Sequence, residues 1–181
     1  QNSSSSEPAT TYAYQIWVDT TNNKIKLRNS ANNAWLEVGK TDGGVLSVTD
    51  ALINAITVGR GAGDVATNTV VGNNALDANT SGSANTAIGD EALTANTTGT
   101  HNTALGYSTL ESVSTSSANV AVGSLSCQNT TSGNNAALGY ATLQSNTSGT
   151  RNVAVGYAAL TANTTASSNT AVGYDCLKAN T

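Results

Sequence analysis

The sequence predicts an all-β protein: a small N-terminal antiparallel β-meander followed by a parallel β-roll, or β-solenoid, of about seven 17-residue coils. Three observations predict it. Glycine returns at Gly72, Gly89, Gly106, Gly123, Gly139, Gly156 and Gly173, with successive gaps of 17, 17, 17, 16, 17 and 17 residues. The same residue types recur at the same offsets from each glycine. Upstream of the repeat, residues 11–40 hold both tryptophans and short runs of alternating apolar and polar residues. A unit of this length is one supersecondary turn, which buries a core only by stacking on copies of itself.

By texture the chain divides into a polar segment (1–10), a meander module (11–40), a linker (41–63) and the repeats (64–181). In the meander, Tyr14 to Asp19 reads as a strand and Thr20 to Asn23 as a turn. Lys24-Ile25-Lys26-Leu27-Arg28 alternates basic and aliphatic residues, as a half-buried strand does. Residues 29–33 turn again, and Ala34 to Val38 makes a third strand. Trp17 and Trp35 are expected to fill its core, because a small sheet needs large aromatics to fold at all. A tryptophan-lined sugar site is the competing reading. In the linker, Val45 to Val58 fits a strand or a short helix equally, and Gly59-Arg60-Gly61-Ala62-Gly63 leads into the repeats.

Within each repeat, with the glycine as zero, position −4 is Asn in all seven units: Asn68, Asn85, Asn102, Asn119, Asn135, Asn152 and Asn169. Position −2 is Ala in six units and Val70 in the first. Position −1 is aliphatic throughout (Val71, Ile88, Leu105, Val122, Leu138, Val155, Val172). Position +4 is Leu, with Cys127 as the exception, and position +7 is usually Asn. The segment Asn-Thr-Ala-Val-Gly is too short for a helix, and its alternation fits a strand. The glycine permits a bend, and the Asn-Thr-Thr-Gly stretch is turn chemistry. Each unit therefore reads as a strand, a corner, a second short extended piece around the Leu, and a return turn. Successive units would lie parallel, about 4.8 Å apart. The one 16-residue gap places its missing residue in a return turn, where shortening leaves strand register intact.

Charged residues are 10% and aromatics 4% of the chain. With about two good apolar residues per unit, a lone coil buries little surface against its ordering entropy. The Ala column is small enough for close backbone approach, so an Ala face is expected to pack against identical chains. Composition thus predicts a homo-oligomer. The net charge of −4 argues against sequence-independent nucleic-acid binding, which needs a basic surface. No apolar run approaches the ~20 residues that cross a bilayer. The chain opens without Met or a secretory signal and stops inside a repeat, so a longer protein is expected on both sides. Cys127 and Cys176 fall three units apart, too far for a disulfide, and are expected to be free thiols acting as apolar fillers.

The unit Asn-Thr-Ala-Val-Gly-Tyr-x-x-Leu, clearest at Asn169 to Leu177 and Asn152 to Leu160, resembles repeats of phage tail fibres. It is also similar, in its Ala-Ile-Gly core, to the head repeats of YadA-like trimeric autotransporter adhesins. The stretch from Ala13 to Thr20 and on from Lys26 to Trp35 resembles a module recurring in phage fibre proteins. The resemblance implies an intertwined or side-by-side homotrimer of left-handed β-rolls with a structural role between virion and host. The partners it implies are the chain itself, other tail or fibre proteins, and a host surface glycan or protein. The alternatives are an adhesin head on a bacterial surface, which a downstream coiled coil and membrane barrel would identify, and a carbohydrate-cleaving tailspike.

The residues point to no catalytic centre, cofactor or metal. His101 occupies a variable turn position, and a triad needs a fixed base with an oriented partner. Asp90 and Glu91 are adjacent, and neighbours on a strand face opposite ways, unlike the facing acids of a glycosidase. No spacing of His, Cys, Asp and Glu fits zinc or calcium. Gly59, Gly61 and Gly63 lack the spacing and following helix of a phosphate loop. Acceptor patterns for N-glycosylation at Asn79, Asn96, Asn129, Asn146 and Asn163 arise from the turn consensus. Tyr107, Tyr140, Tyr157 and Tyr174 share the place after the glycine. They read as a stacked ladder over the Leu row or as an aromatic stripe contacting host glycans. A flat threonine array for ice binding is disfavoured, because Thr-x-Thr recurs irregularly.

Overall fold

The computed structural model describes residues 2–4, 16–22, 24–28, 35–42, 45–47, 50–53 and 56–179, with the backbone alone for 2–4, 28, 35–42, 45–47 and 50–53. Tyr12 and Tyr14 lie outside the described residues, as does the side chain of Trp35. The chain forms two compact units, residues 1–49 and 50–181.

The first unit is one five-stranded sheet, with strands Asn2–Ser4 (β1), Ile16–Asp19 (β2), Lys24–Arg28 (β3), Trp35–Asp42 (β4) and Val45–Ser47 (β5) in sequence order. β2 to β5 pair antiparallel, the expected meander with one more strand, and β1 adds in parallel to β2. Trp17 is buried. The β2–β3 turn is organised by Asp19, also buried. Its carboxylate accepts the Thr21 and Asn22 backbone N–H groups (3.1 and 3.2 Å), the Asn22 side-chain amide (2.9 Å) and the Lys26 ammonium (3.2 Å). The same ammonium lies 4.5 Å from the centre of the Trp17 ring, a cation–π contact. Donation by the Asn22 side chain, followed by its backbone N–H and Lys26, holds the Asp19 carboxyl below its ordinary range against the opposing effect of burial.

The second unit is a coil stack. Strands Thr69–Gly72 (β8), Thr86–Ile88 (β9), Thr103–Leu105 (β10), Val120–Val122 (β11), Ala136–Leu138 (β12), Val153–Val155 (β13) and Thr170–Val172 (β14) form a parallel sheet in sequence order. Every repeat position pairs with its equivalent: Ala87 with Ala104, Ala104 with Ala121, Ala121 with Ala137. In the stretch from Val45 to Val58, ambiguous in sequence, the described residues are strands. Asp50–Ile53 (β6) and Ile56–Gly59 (β7) form a hairpin, and β7 lies antiparallel on β8. A short 3₁₀ turn at Ala62–Asp64 follows. The Ala62 N–H donates to the Leu76 carbonyl, and the Asn79 side chain donates to the Ala62 carbonyl. Hairpin and turn thus satisfy the first edge of the stack, which would otherwise present open strand groups.

Two sequence expectations are corrected. The piece around each Leu is not extended. Leu76, Leu93, Leu110, Cys127, Leu143, Leu160 and Leu177 all lie at φ between 48 and 54. A left-handed residue other than glycine costs about 1–2 kcal/mol. Full burial of a Leu contributes about 1.5–3 kcal/mol, so burial wins. The tight corner turns the side chain inward, where Leu93, Leu110, Leu143 and Leu160 are wholly buried. The backbone still bonds coil to coil there, as in Leu93 N–H to Thr109 carbonyl and Leu143 N–H to Ala159 carbonyl (both 3.0 Å).

Second, the Ala column does not face outward. Ala87, Ala104, Ala121, Ala137, Ala154 and Ala171 line the interior, at most 3% exposed. They share the interior with the Leu column and two Asn columns, and Val70, at the same position of the first coil, is buried there too. The larger aliphatic side chains at −1 are therefore the ones turned out.

The buried −4 asparagines carry most of the polar order. The amide nitrogen of Asn169 donates to the Asn152 side-chain oxygen (3.1 Å). In the first six coils the Asn amide nitrogen donates to a return-turn carbonyl of its own coil, as in Asn68 to Gly82 (2.9 Å), Asn85 to Gly99 (2.8 Å) and Asn135 to Gly149 (3.0 Å). Its oxygen accepts the backbone N–H of the Asn in the next coil, at 2.9–3.1 Å in all six steps. The 16-residue coil is accommodated after Thr131. The Thr131 hydroxyl reaches Thr147, 16 residues on, whereas that of Ser132 reaches Gly149, 17 residues on.

Candidate functional site

Positions −3 and −1 of β8 to β14 share the outward face of the sheet. The −3 column is Thr69, Thr86, Thr103, Val120, Ala136, Val153 and Thr170, and the −1 column runs from Val71 to Val172. Neither column contains a charged residue. Leu105 and Leu138 are 43% and 51% exposed, and Val120 and Val153 are also open. The result is an uncharged strip along the stack, aliphatic at every −1 position and mixed Thr, Val and Ala at −3, with its exposed large apolar side chains between Leu105 and Val172.

Beside it, at +1, stand the tyrosines. Tyr140 and Tyr157 stack with ring centres 5.3 Å apart, and Tyr157 and Tyr174 at 4.9 Å, with interplanar angles of 15° and 9°. Tyr107 stands outside this stack, because Ser124 occupies the same place in the coil between. All four tyrosines are exposed, whereas the Leu column from Leu76 to Leu160 sits inside the coil. Stacking covers both faces of Tyr157, so its ring presents an edge, while Tyr140 and Tyr174 each stack on one face.

The other candidate residues do not converge. His101 is exposed at a corner with φ 59, its Nδ1 3.1 Å from the Thr100 hydroxyl. Asp90 and Glu91 are at a corner rather than on a strand, with Glu91 at φ 60. Asp90 accepts from the Asn73 amide (3.2 Å) and Glu91 from the Ser108 hydroxyl (2.9 Å). Gly61 and Gly63, at φ 72 and 77, turn tightly against Leu76, Asn79 and Thr80. Of the five glycosylation patterns, Asn79, Asn96, Asn146 and Asn163 are buried with their amides bonded to backbone carbonyls. Cys127 and Cys176 are free thiols. Burial pushes the Cys127 thiol up to about 12. Among the described residues no group of three or more His, Cys, Asp or Glu is placed to hold a metal ion, and no helix is long and apolar enough to cross a membrane.

The outward aliphatic strip was the feature that sequence reasoning assigned to the wrong column. A usable signal existed. Position −2 is Ala in six units, while −1 varies among Val, Ile and Leu. Uniform size across copies marks a confined position, and tolerance of size marks an open one. Compared with protein-family models, with curated proteins and with solved structures, the chain finds no match in any of the three.

Proposed function

We propose that this chain is a segment of a trimeric phage tail fibre or a related virion appendage, with the coil stack as its shaft and the meander as an attachment or spacing module. The observation that carries the reading is the charge-free aliphatic strip on the outward face of β8 to β14. An extended exposed apolar strip marks an association surface. A copy of the same chain is the partner that fits it, since like columns meet with no charge left unpaired. Each added coil extends such a contact by the same increment, so a shaft of any length is sealed in the same way. Contact with a host glycan or protein would be shallow and multiplied by the number of copies.

The test is solution mass by light scattering on the intact chain and on two neighbouring variants. The chain should have three times the mass of one copy. Leu138→Lys, on the outward face, should give a folded monomer with unchanged circular dichroism. Ala137→Glu, one residue away and facing inward, should lose the fold. A stable wild-type monomer, or a Leu138→Lys protein that still trimerises, overturns the proposal.

A further inference from the structure

The second buried asparagine column, at +7, is broken in the middle of the stack. It reads Asn79, Asn96, Val113, Thr130, Asn146 and Asn163. Asn96 donates to the Asn79 side-chain oxygen (3.2 Å), and Asn163 to that of Asn146 (2.9 Å). Each of these four also closes its own return turn through a backbone carbonyl three residues on. Coils three and four have neither bond. Val113 holds the position that would supply the next donor to the Asn96 oxygen, and that oxygen is fully buried and has no hydrogen-bond partner. The buried Thr130 hydroxyl also lacks one of ordinary geometry, its neighbour being the thiol of Cys127. A buried polar atom left unpaired is destabilising, because it gives up its water and gains no partner. In coil four the return turn is also one residue short, Cys127 replaces the larger Leu, and Ser124 interrupts the tyrosine column.

Where the inner ladder fails, an outer one runs. The Gln128 amide donates to the Glu111 carboxylate (2.9 Å), and the Gln144 amide to the Gln128 side-chain oxygen (3.0 Å). These residues hold position +5 of coils three, four and five. In coils one, two and six the same place is Asp77, Thr94 and Thr161. The clasp therefore spans the coils that lack the inner bonds.

We propose that the stack consists of two blocks joined by a seam at coils three and four, and that this seam, held by the Glu111–Gln128–Gln144 clasp, is where the stack opens first. A uniform stack has no preferred place to yield except its ends. Faults gathered in two adjacent interior coils create one, and a shaft gains a defined point of compliance. Local opening of this kind is read by hydrogen exchange.

The experiment is residue-resolved amide exchange on the intact chain in its native assembly. The Leu110 and Cys127 amides, bonded to Ser126 and Thr142 carbonyls, should exchange about tenfold faster than the equivalent Leu93 and Leu143 amides. Gln128→Ala should speed exchange at the seam and leave coils two and five unchanged. Val113→Asn with Thr130→Asn should restore the column, slow seam exchange to the level of its neighbours and abolish the effect of Gln128→Ala. Equal protection across coils two to five, or an effect of Gln128→Ala spread over all coils, overturns the proposal. Should the double variant fail to fold, the wild-type and Gln128→Ala profiles decide alone.

Discussion

The side-chain oxygen of Asn135 accepts the backbone N–H of Asn152 at 3.1 Å, while its amide nitrogen donates to the Gly149 carbonyl at 3.0 Å. One buried side chain thus closes its own coil and docks the next. Its length and its two-sided chemistry are both needed. Aspartate would offer acceptors alone, opposite a carbonyl.

Asn135→Ala should therefore destabilise the stack by about 1–3 kcal/mol, from the buried Asn152 N–H left unpaired, with a small void adding to it; the Gly149 carbonyl keeps the Asn146 amide and the Ser132 hydroxyl. Asn135→Asp should be at least as damaging at neutral pH and recover partly in acid, where the protonated carboxyl can donate to Gly149. Denaturant unfolding at two pH values measures this. A loss below about 1 kcal/mol for both would remove the ladder as a principal support.

The repeat glycines predict a position-dependent response to one substitution. At Gly139, φ is 135 and an added Cβ would overlap the Gly156 carbonyl oxygen. At Gly173, φ is 138, but the nearest atom to such a Cβ is that of Cys176, at 3.7 Å. Gly139→Ala should prevent folding of the stack, whereas Gly173→Ala should cost only the strain of its backbone angle, roughly 1–3 kcal/mol. Thermal melts of the two variants compare them directly.

Cys127 and Cys176 should differ in reactivity. Only the thiolate attacks an alkylating reagent, and burial holds Cys127 protonated up to about 12. Mass spectrometry after alkylation at pH 8 should find Cys176 modified and Cys127 intact until denaturant is added. The unfolded thiol ionises near 9.0, so the unfolded state gains an advantage as pH rises from 9.0 towards 12. Alkaline stability should accordingly improve in Cys127→Ser or Cys127→Leu relative to each variant's neutral value.

The meander carries an acid-sensitive turn. The Asp19 carboxyl lies below its ordinary value of 3.8, so its contribution is complete above that value and lost as pH falls through the lowered one. Tryptophan fluorescence, which reports Trp17 and Trp35, should show the meander loosening in that acid range. Asp19→Asn should flatten this component while weakening the turn at neutral pH, because the amide nitrogen cannot accept from Asn22 and Lys26.

Some of the stack was legible because its elements repeat. Glycine every 17 residues, the Leu at +4 and the Asn at −4 named the coil, its parallel register and its ladders of like residues. The return turn as the place of shortening was legible for the same reason, since strand register survives only if the loss falls in a loop. The tyrosines were legible as a column, and the interruption at Ser124 could be read from the same alignment of units.

What alternation alone determined is that Ala137 and Leu138 face opposite ways. Which of them faces inward was decided by closure of the coil, which encloses the −2 column with the Leu and Asn columns and leaves the −1 side chains outside. Closure also decided that each Leu turns inward from a left-handed corner, a conformation its own preferences oppose and burial enforces. Likewise the broken column at Val113 and Thr130 is, in the sequence, two ordinary residues. It becomes a fault only when stacking gives Val113 the place of the next donor to the buried oxygen of Asn96, a residue 17 positions away that local chemistry never brings near.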